Sequence, residues 1–405
     1  MNKKKIFNDP VYGFITIPYT IIFDLIEHPF FQRLRRIKQV GLTHYVYPGA
    51  LHTRFNHALG AMHLMVQAIE VLRSKEIEIT EEEAIAVCIA ILLHDIGHGP
   101  FSHALEHTLV DIHHEELSLL FMEELNEQFD HQLDLAIQIF KDDYKKKFLY
   151  QLVSGQLDMD RMDYLNRDSF FTGVSEGVIG YHRIIKMLSV RNNELVVEEK
   201  GIYSIEKFLI ARRLMYWQVY LHKTSLVAEQ MLIKVLKRAK ELARAGVSLD
   251  CSKALKKFLY TPFGSSEFKD NRPALLTEFA RLDDFDIISA LKSWRDEEDF
   301  VLSYLSKSIM DRKLFRVELN NEPFKSDYKE NLRLKLMKAL GTKKIDPNYL
   351  FFEGIETNST YSTAKNEILI LFKNGEVKPM SAFADHGIYS GIITKYYLCY
   401  PKNFS

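Results

Sequence analysis

Histidines are concentrated in one part of this 405-residue chain. Ten of the fifteen histidines lie between His44 and His114. The densest stretch is LLHDIGHGPFSHALEH, residues 92–107, in which an apolar segment runs directly into glycine, proline and further histidines. An ordinary core helix has no need of imidazoles at this density, because each buried polar group requires a hydrogen-bond partner. The pattern therefore indicates a site that binds a metal ion, an anion, or both.

Two histidines and two aspartates form the predicted metal-ligand set. His94 and Asp95 end the apolar segment, and His57 stands at the start of a helix in HTRFNHALG. Asp160 lies in the later segment DMDRMDY. Asp95 places a negative charge at the negative end of a helix dipole, which a bound cation would offset. The mixed nitrogen and oxygen set suits Zn, Fe or Mn, and Mg less well. For the His94–Asp95 pair alone, a hydrogen-bonded core histidine is the commoner alternative.

Helical periodicity dominates the chain to about residue 245. TEEEAIAVCIAILLHDIG predicts a buried helix, since Thr80 and Glu83 form a capping-box pattern and apolar residues fill the middle on nearly all sides. Further predicted helices cover residues 22–38, 57–74, 115–128, 159–168, 181–188 and 204–244. Alternating segments such as KLFRVEL and ITKYYLCYP predict strands after about residue 250, and a hairpin is predicted around residues 198–201.

The predicted fold is therefore mainly α, with two packed parts. A helical domain spans residues 1–245, and a smaller mixed α/β lobe for oligomerisation or regulation spans residues 246–405.

The composition excludes a large net charge that would attract nucleic acid or a membrane surface over the whole protein. The chain has 53 Lys+Arg against 54 Asp+Glu, so any anion site must be local. Cys88, Cys251 and Cys399 are scattered without metal-ligand spacing, which suits a reducing cytosol. The basic start MNKKKIFNDP lacks an apolar signal region, and no apolar run reaches membrane-spanning length. We expect a cytoplasmic protein without a membrane partner.

Three segments together resemble the signature blocks of the HD-domain phosphohydrolases, specifically the deoxynucleotide triphosphohydrolases that include the SAM-and-HD-domain enzyme and its bacterial relatives. The segments are QRLRRIKQVGLTHYVYPGALHTRFNHALG, LLHDIGHGPFSH and LDMDRMDYLNRD. The resemblance runs with gaps from about Lys5 to Lys223, and the C-terminal lobe is matched only loosely. No SAM domain is expected, so the bacterial form is the closer analogue. The resemblance implies an HD-domain helical bundle, and its metal ligands are the four residues named above.

The resemblance also implies an activity. In the family, water attacks the α-phosphorus of a deoxynucleoside triphosphate and the 5′-oxygen departs, which gives a deoxynucleoside and intact triphosphate. His103 falls at the position of the group that protonates the leaving oxygen, and His98 at that of a phosphate contact. Glu106 and His114 match partners that orient His103, with Glu106 replacing a shorter aspartate. The implied cofactor is Zn, Fe or Mn, with additional Mg brought by the nucleotide.

Other positions match residues that bind the substrate. The matches are Arg54, Arg161, Arg212, Lys223 and Tyr164 for the phosphates, Gln39 and Asp168 for the 3′-hydroxyl, and Tyr220 and Val40 where a ribose 2′-hydroxyl would protrude. Arg161 replaces a lysine, which keeps the charge and changes the geometry. Val40 replaces a leucine, so the side chain that lines this gate is shorter by one methylene and leaves more room for a ribose 2′-hydroxyl.

A second nucleotide site is implied near the N-terminus, between subunits. The matching residues are Lys5, Ile6, Asn8, Glu27, Gln32 and Arg35, joined by Arg183 and Lys200 from adjoining subunits. The implied effector is dGTP or GTP. The implied assembly is a homo-oligomer, either a dimer or a homotetramer, and the location of the effector site between subunits favours the homotetramer. Glu198 stands where the family has an arginine. The alternative is that NDPVYG is a turn and QRLRRIKQ a solvated helix face.

Two other functions stay open at this point. One is hydrolysis of another nucleotide, or of a single-stranded nucleic-acid end, because fold alone does not decide the substrate. The stretch KFLIARRLMYW could contact nucleic acid, although helical spacing of this kind is more typical of a core, so nucleic acid is the less favoured partner. The other is a non-catalytic nucleotide sensor, against which the intact metal positions argue.

Overall fold

Helices make up most of the protein, which confirms the predicted mainly α fold. The computed structural model describes residues 5–102, 106–341, 345–359, 361, 367–382 and 392–402. The helices are α1 Thr20–Glu27, α2 Pro29–Gln32, α3 Arg54–Ser74, α4 Glu81–Leu93, α5 His114–Gln128, α6 Asp134–Phe140, α7 Lys147–Val153, α8 Met159–Thr172, α9 Tyr181–Met187, α10 Ile202–Met215, α11 Lys223–Arg244, α12 Lys253–Tyr260, α13 Ser265–Asp270, α14 Arg272–Phe279, α15 Asp284–Ser293, α16 Phe300–Met310 and α17 Ser326–Leu340. Within the described residues, no helix combines the length and apolar character that a membrane crossing requires.

The buried helix α4 begins at the predicted capping box. The Thr80 side chain accepts from the Glu83 backbone N–H at 3.2 Å, and the Glu83 carboxylate accepts from the Thr80 N–H at 2.9 Å. Residues 86–93 are all buried, and the helix packs against α3 and α6. Because α4 is enclosed on several sides, its C-terminal end, where His94 and Asp95 follow, is held in a fixed place.

Helix α3 brings the separate signature segments together. It packs against α4 and against α8. The approach to α8 requires Gly60, since a Cβ there would lie 2.0 Å from Asp163 Oδ1 and 2.1 Å from Arg167 Nη2. The start of α3, the end of α4 and the first turn of α8 therefore meet.

The continuous helix predicted over residues 204–244 is wrong. Helix α10 ends at Met215, a π-helical turn spans Tyr216–Tyr220, and α11 begins at Lys223. The His222 imidazole caps α11, because its Nδ1 accepts from the Thr224 N–H at 3.1 Å. No glycine or proline marks this break, so periodicity alone gave no sign of it.

Strands form a hairpin and two small sheets. The strands are β1 Ile6–Asp9, β2 Gly13–Thr16, β3 Leu188–Arg191, β4 Glu194–Glu198, β5 Arg316–Asn320, β6 Phe352–Ser359, β7 Leu369–Leu371, β8 Val377–Pro379 and β9 Ile392–Tyr400. β1 pairs with β2, the second sheet has the order β3-β4-β7-β8, and the third has β5-β9-β6. The mixed C-terminal lobe is thus confirmed in its composition of elements, whereas the boundary at residue 245 stays a prediction.

The hairpin expected around residues 198–201 lies elsewhere. Strands β3 and β4 are joined through Asn192 and Asn193, whose φ angles are 51° and 64°. Asparagine tolerates this left-handed region and is favoured in two-residue hairpin turns. Residues Glu199–Gly201 instead form a 3-10 turn that leads into α10.

Candidate metal centre and active site

Three of the four predicted metal ligands converge closely. Asp160 Oδ1 lies 3.1 Å from His57 Nε2 and 3.4 Å from His94 Nε2. The two Nε2 atoms are 3.4 Å apart. Ligands that share one ion at about 2.1 Å stand roughly 3 Å from one another. The spacing of these three atoms therefore fits a single divalent metal ion.

Asp95 borders the same group. Its Oδ2 lies 3.7 Å from His57 Nε2, and its Oδ1 lies 3.5 Å from His94 Nε2. The Arg54 guanidinium donates to Asp95 Oδ2 and also, through Nε, to Ser102 Oγ at 2.7 Å. Burial opposes ionisation of Asp95, but Arg54 and the neighbouring histidines hold its pKa well below the usual range. Asp95 is therefore an ionised carboxylate within reach of the centre.

Hydrogen bonds behind both imidazoles assign their tautomers. His57 Nδ1 lies 2.7 Å from Asp163 Oδ2, and His94 Nδ1 lies 2.6 Å from the carbonyl oxygen of Ile91. Both partners can only accept, so Nδ1 carries a proton in each ring, and Nε2, which faces Asp160, is the nitrogen that can bind a metal. A proton on Nε2 or a metal ion can lie between these atoms and offset the negative charge of Asp160. The donor set thus fits a metal.

The electrostatic environment favours a cation at this point. Burial lowers the proton affinity of His57, but Asp160 and Asp163 outweigh it and raise the pKa of His57 to about 10. Burial likewise opposes ionisation of Asp160, yet the hydrogen bonds from His57 and His94 hold its pKa below the usual value. The negative potential that attracts a proton here attracts a metal ion equally.

The turn after α4 is fixed by α5 and α15. The Gly97 N–H donates to Ser118 Oγ at 2.9 Å, and that hydroxyl donates to the His94 carbonyl at 2.7 Å. The Asp284 carboxylate accepts from the Phe101 N–H at 2.8 Å and from the Lys38 N–H at 2.9 Å. The φ angle of Phe101 is 53°, in the left-handed region. Buried side chains from distant parts of the chain therefore hold this strained turn.

The predicted catalytic group is partly assembled. His98 is buried, its ring stacks on His114 with centroids 4.0 Å apart, and its Nε2 lies 3.3 Å from Asp95 Oδ1. Burial and then Arg54 lower the pKa of His98 well below the usual value, so this imidazole is neutral. Glu106 Oε1 accepts from the His114 backbone N–H at 3.0 Å and lies 3.0 Å from its Nδ1. His103 lies outside the described residues.

A cavity of about 510 Å³ opens beside the metal ligands. This volume lies within the usual range for pockets that bind small molecules. The predicted site residues in its lining are Gln39, Val40, Arg54, Asp95, His98, His114, Asp160, Tyr164, Asp168 and Tyr220. The predicted phosphate cations Arg161, Arg212 and Lys223 do not line it. The cavity therefore gathers most of the predicted substrate residues around Asp95 and Asp160.

Two predicted substrate residues have protein partners that sequence could not indicate. Asp168 Oδ1 lies 2.7 Å from His52 Nε2, and its Oδ2 accepts from the Tyr220 hydroxyl at 2.6 Å. Arg161 donates to the buried carboxylate of Asp158, which also caps α8 through the Arg161 N–H at 2.7 Å. Asp168 thus orients the Tyr220 hydroxyl, and Arg161 is tied to the start of α8.

The predicted effector residues lie in three segments of the chain, and the first two approach each other where Lys5 Nζ lies 4.8 Å from the Phe23 ring centroid on α1. Lys5, Ile6 and Asn8 are exposed on and beside β1. The Gln32 amide donates to the Ile26 carbonyl at 2.7 Å and its oxygen accepts from Arg35 Nε at 2.9 Å, while Glu27 is exposed at the end of α1. Arg183 donates to the Lys200 carbonyl at 3.0 Å. Glu198, at the family's arginine position, accepts from Lys75 at 2.6 Å.

Two known domain families match parts of this chain. The HD domain matches residues 54–168, and the HD associated region matches residues 179–249. The chain is 34% identical to the uncharacterized protein YwfO of Bacillus subtilis, over 94% of this chain and 88% of that protein. A crystal structure of a phosphohydrolase from Bacteroides thetaiotaomicron superposes with a TM-score of 0.94 at 54% identity, over 98% of this chain and all of that one. The chain therefore belongs to the HD-domain family of phosphohydrolases.

Relatives with a named substrate match over a shorter length. The human deoxynucleoside triphosphate triphosphohydrolase SAMHD1 is 30% identical over 280 residues, which cover 58% of this chain and 44% of that protein. The match thus covers less than half of SAMHD1. It shows a family relationship and does not identify the substrate of this chain.

Proposed function

We propose that the protein is a metal-dependent hydrolase of deoxynucleoside triphosphates, which releases a deoxynucleoside and intact triphosphate. The observation that supports it most is the convergence of His57, His94 and Asp160 beside a cavity large enough for a nucleotide. Similarity to SAMHD1, whose name states this activity, supports the choice of substrate.

The proposed ligands of the ion are His57, His94, Asp95 and Asp160. A divalent ion such as Zn, Fe or Mn would polarise a phosphoryl oxygen and lower the pKa of a bound water. The residues themselves supply two lone pairs and two carboxylates in a fixed arrangement, because Asp163 and the Ile91 carbonyl hold the imidazoles from behind.

The phosphates need positive charge and hydrogen-bond donors. Arg54 lines the cavity and spends two of its donors on Ser102 and Asp95, so the remaining guanidinium N–H groups are available to a phosphate oxygen. Neutral His98 adds one more polar group to the same wall. We assign Arg161, Arg212 and Lys223 to the triphosphate as well, which requires their side chains to move toward the cavity when the nucleotide binds.

The proposed reaction breaks the bond between the α-phosphorus and the 5′-oxygen. Water supplies the new oxygen on the α-phosphorus, and the departing 5′-oxygen must gain a proton. We assign that proton to His103, with Glu106 and His114 as its positioning partners. The contact between Glu106 and His114 gives this pair a defined position next to His98.

The sugar is assigned to the wall that contains Asp168 and Tyr220. The hydrogen bond between them fixes the position of the Tyr220 ring. A ring that cannot move aside would collide with a ribose 2′-hydroxyl and so exclude ribonucleotides. Gln39 lines the same cavity, and its Oε1 has no hydrogen-bond partner among the described residues. That oxygen is therefore available to accept from a 3′-hydroxyl.

The test is product analysis with purified protein and Mn²⁺, using each deoxynucleoside triphosphate separately. We expect triphosphate and deoxynucleoside, resolved by ion-exchange chromatography. Asp160→Ala should lose both metal content and turnover, whereas Asp24→Ala on the exposed face of α1 should keep both. Release of pyrophosphate and monophosphate would contradict the assigned bond, and turnover of other phosphoesters alone would contradict the substrate. Binding without turnover of any nucleotide would identify a sensor.

Regulation by dGTP or GTP at the N-terminal segment, in a homo-oligomer, is a further part of this proposal. Its residues are Lys5, Ile6, Asn8, Glu27, Gln32, Arg35, Arg183 and Lys200. The ratio of the rates with and without dGTP should fall in Glu27→Ala, while Glu70→Ala, an exposed change on α3, should leave that ratio as in the wild type. An unchanged ratio in Glu27→Ala would remove this carboxylate from the effector site.

A further inference from the structure

A chain of buried charges runs from the metal ligand His57 to the N-terminal hairpin. Asp163 Oδ2 lies 2.7 Å from His57 Nδ1. Arg167 donates to both Asp163 oxygens at 2.9 Å and, on its other side, to Asp9 Oδ2 at 2.7 Å. We call Asp9, Arg167 and Asp163 the buried charge chain. The side chains of Arg167 and Asp163 are fully buried, and that of Asp9 is 4% exposed.

The surrounding structure is built to accommodate this chain. Gly60, three residues after His57 on α3, leaves the space that Asp163 and Arg167 occupy, since a Cβ there would overlap both. The Tyr12 ring lies 5.4 Å from the guanidinium carbon of Arg167 on the side of the hairpin. Helix α3, helix α8 and the β1–β2 turn therefore all adapt to the same set of charges.

Stability alone does not explain the buried charge chain. Desolvation of three charged groups is costly, and apolar residues of similar volume often replace buried ion pairs without loss of stability. What an apolar replacement could not supply is an acceptor for the His57 Nδ1–H. That acceptor fixes the tautomer and the ring orientation that direct Nε2 toward Asp160.

We propose that Asp9, Arg167 and Asp163 are positioning residues of the metal centre, through which the β1–β2 hairpin sets the metal affinity of His57. The inference rests on the metal centre of the proposed function. Arg167 fixes the Asp163 carboxylate with two hydrogen bonds, and Asp9 fixes Arg167 from the opposite side.

The buried charge chain ends in the segment assigned to the effector. Asp9 is the last residue of β1, and its Oδ1 accepts from the N–H groups of Val11 and Tyr12 at 2.9 and 3.0 Å. Ile6 and Asn8 lie on the same short strand. A nucleotide that orders this strand therefore has a physical connection to His57 through packed, hydrogen-bonded groups.

The experiment measures the dissociation constant of Mn²⁺ by competition with a chelator in the full-length protein. Asp163→Asn should weaken binding by about ten- to a hundred-fold, the usual effect of losing an outer-shell carboxylate. Asp9→Asn should weaken it by a smaller factor, since its amide oxygen can still accept from the turn. The double variant should bind no more weakly than Asp163→Asn alone, because the groups act in series.

The matched control is Asp299→Asn, which disturbs another arginine–carboxylate pair. Arg238 donates to both oxygens of Asp299, at 3.1 and 2.6 Å, and neither residue contacts the metal centre. This variant should lower the melting temperature of the metal-free protein without changing its metal affinity. If Asp163→Asn does not fold, Asp9→Asn and Arg167→Lys provide the same comparison.

Wild-type metal affinity in Asp163→Asn, or losses that simply add in the double variant, would overturn the inference. Failure of the proposed reaction gives a different result, because metal affinity is measured without turnover. A protein that binds Mn²⁺ through this chain but hydrolyses no deoxynucleotide would remove the function and leave the positioning role intact.

Discussion

A single methyl group added at Gly97 tests the turn that presents the candidate metal ligands. In Gly97→Ala, the new Cβ would lie 2.2 Å from the His114 carbonyl oxygen and 2.4 Å from the Ser118 nitrogen. Ordinary heavy-atom contacts are about 3.5 Å or longer, so the turn or α5 must move by roughly 1 Å. We expect a loss of about 1–3 kcal/mol in unfolding free energy, the usual effect of overpacking.

The displacement also separates two halves of the site, because α5 begins with His114 and the turn follows directly after Asp95. We therefore expect Mn²⁺ affinity to fall by about ten-fold or more, as when an outer shell is disturbed. The control is Gly180→Ala, where φ is −81° and nothing lies within 4 Å of the added Cβ. Denaturant unfolding and chelator competition give the two quantities. Gly97→Ala with the stability and metal affinity of Gly180→Ala would refute the reasoning.

Three further predictions address the cavity and the turn. Burial and Glu356 raise the pKa of Glu229 from 4.5 to about 8, so the stability that the protonated carboxyl contributes is fully present below pH 4.5 and is lost as the pH rises through 8. The melting temperature of Glu229→Gln should therefore exceed that of the wild type by a margin that grows from pH 5 to pH 8.5. A margin that does not change with pH would contradict the raised pKa. Tyr220→Phe should raise the kcat/KM ratio of ribonucleotide to deoxynucleotide, and an unchanged ratio would remove this hydroxyl from the gate. Asp284→Asn leaves one acceptor for two backbone N–H groups, which costs about 1–3 kcal/mol; hydrogen exchange of the Phe101 amide should accelerate, and wild-type protection would contradict its role.

Local sequence signals predicted the elements that depend on neighbouring residues. The capping box of Thr80 and Glu83 starts α4 as expected, because both hydrogen bonds close within three residues. The density of histidine and aspartate indicates a metal site at His57, His94 and Asp160, since an ordinary core has no need of so many buried polar groups. These ligands were nevertheless joined by resemblance to a family, because spacing along the chain does not show which helices meet.

Features that depend on distant contacts were missed. Asp163 and Arg167 look like solvated charges in a polar helix, but they are buried by the packing of α8 against Gly60 and against the β1–β2 hairpin. The end of α10 at Met215 depends on the π turn and on His222 as a cap, neither of which changes the hydrophobic period. Asp284 belongs to the predicted second lobe and yet holds the turn after α4 from 183 residues away.

In the proposed reaction, water adds to the α-phosphorus of a deoxynucleoside triphosphate at this metal centre. Turnover of dGTP with Mn²⁺ in water enriched in oxygen-18, followed by mass spectrometry of both products, tests it most directly. We predict one heavy oxygen in the triphosphate and none in the deoxynucleoside. Label in the deoxynucleoside, or products consisting of pyrophosphate and monophosphate, would contradict the claim.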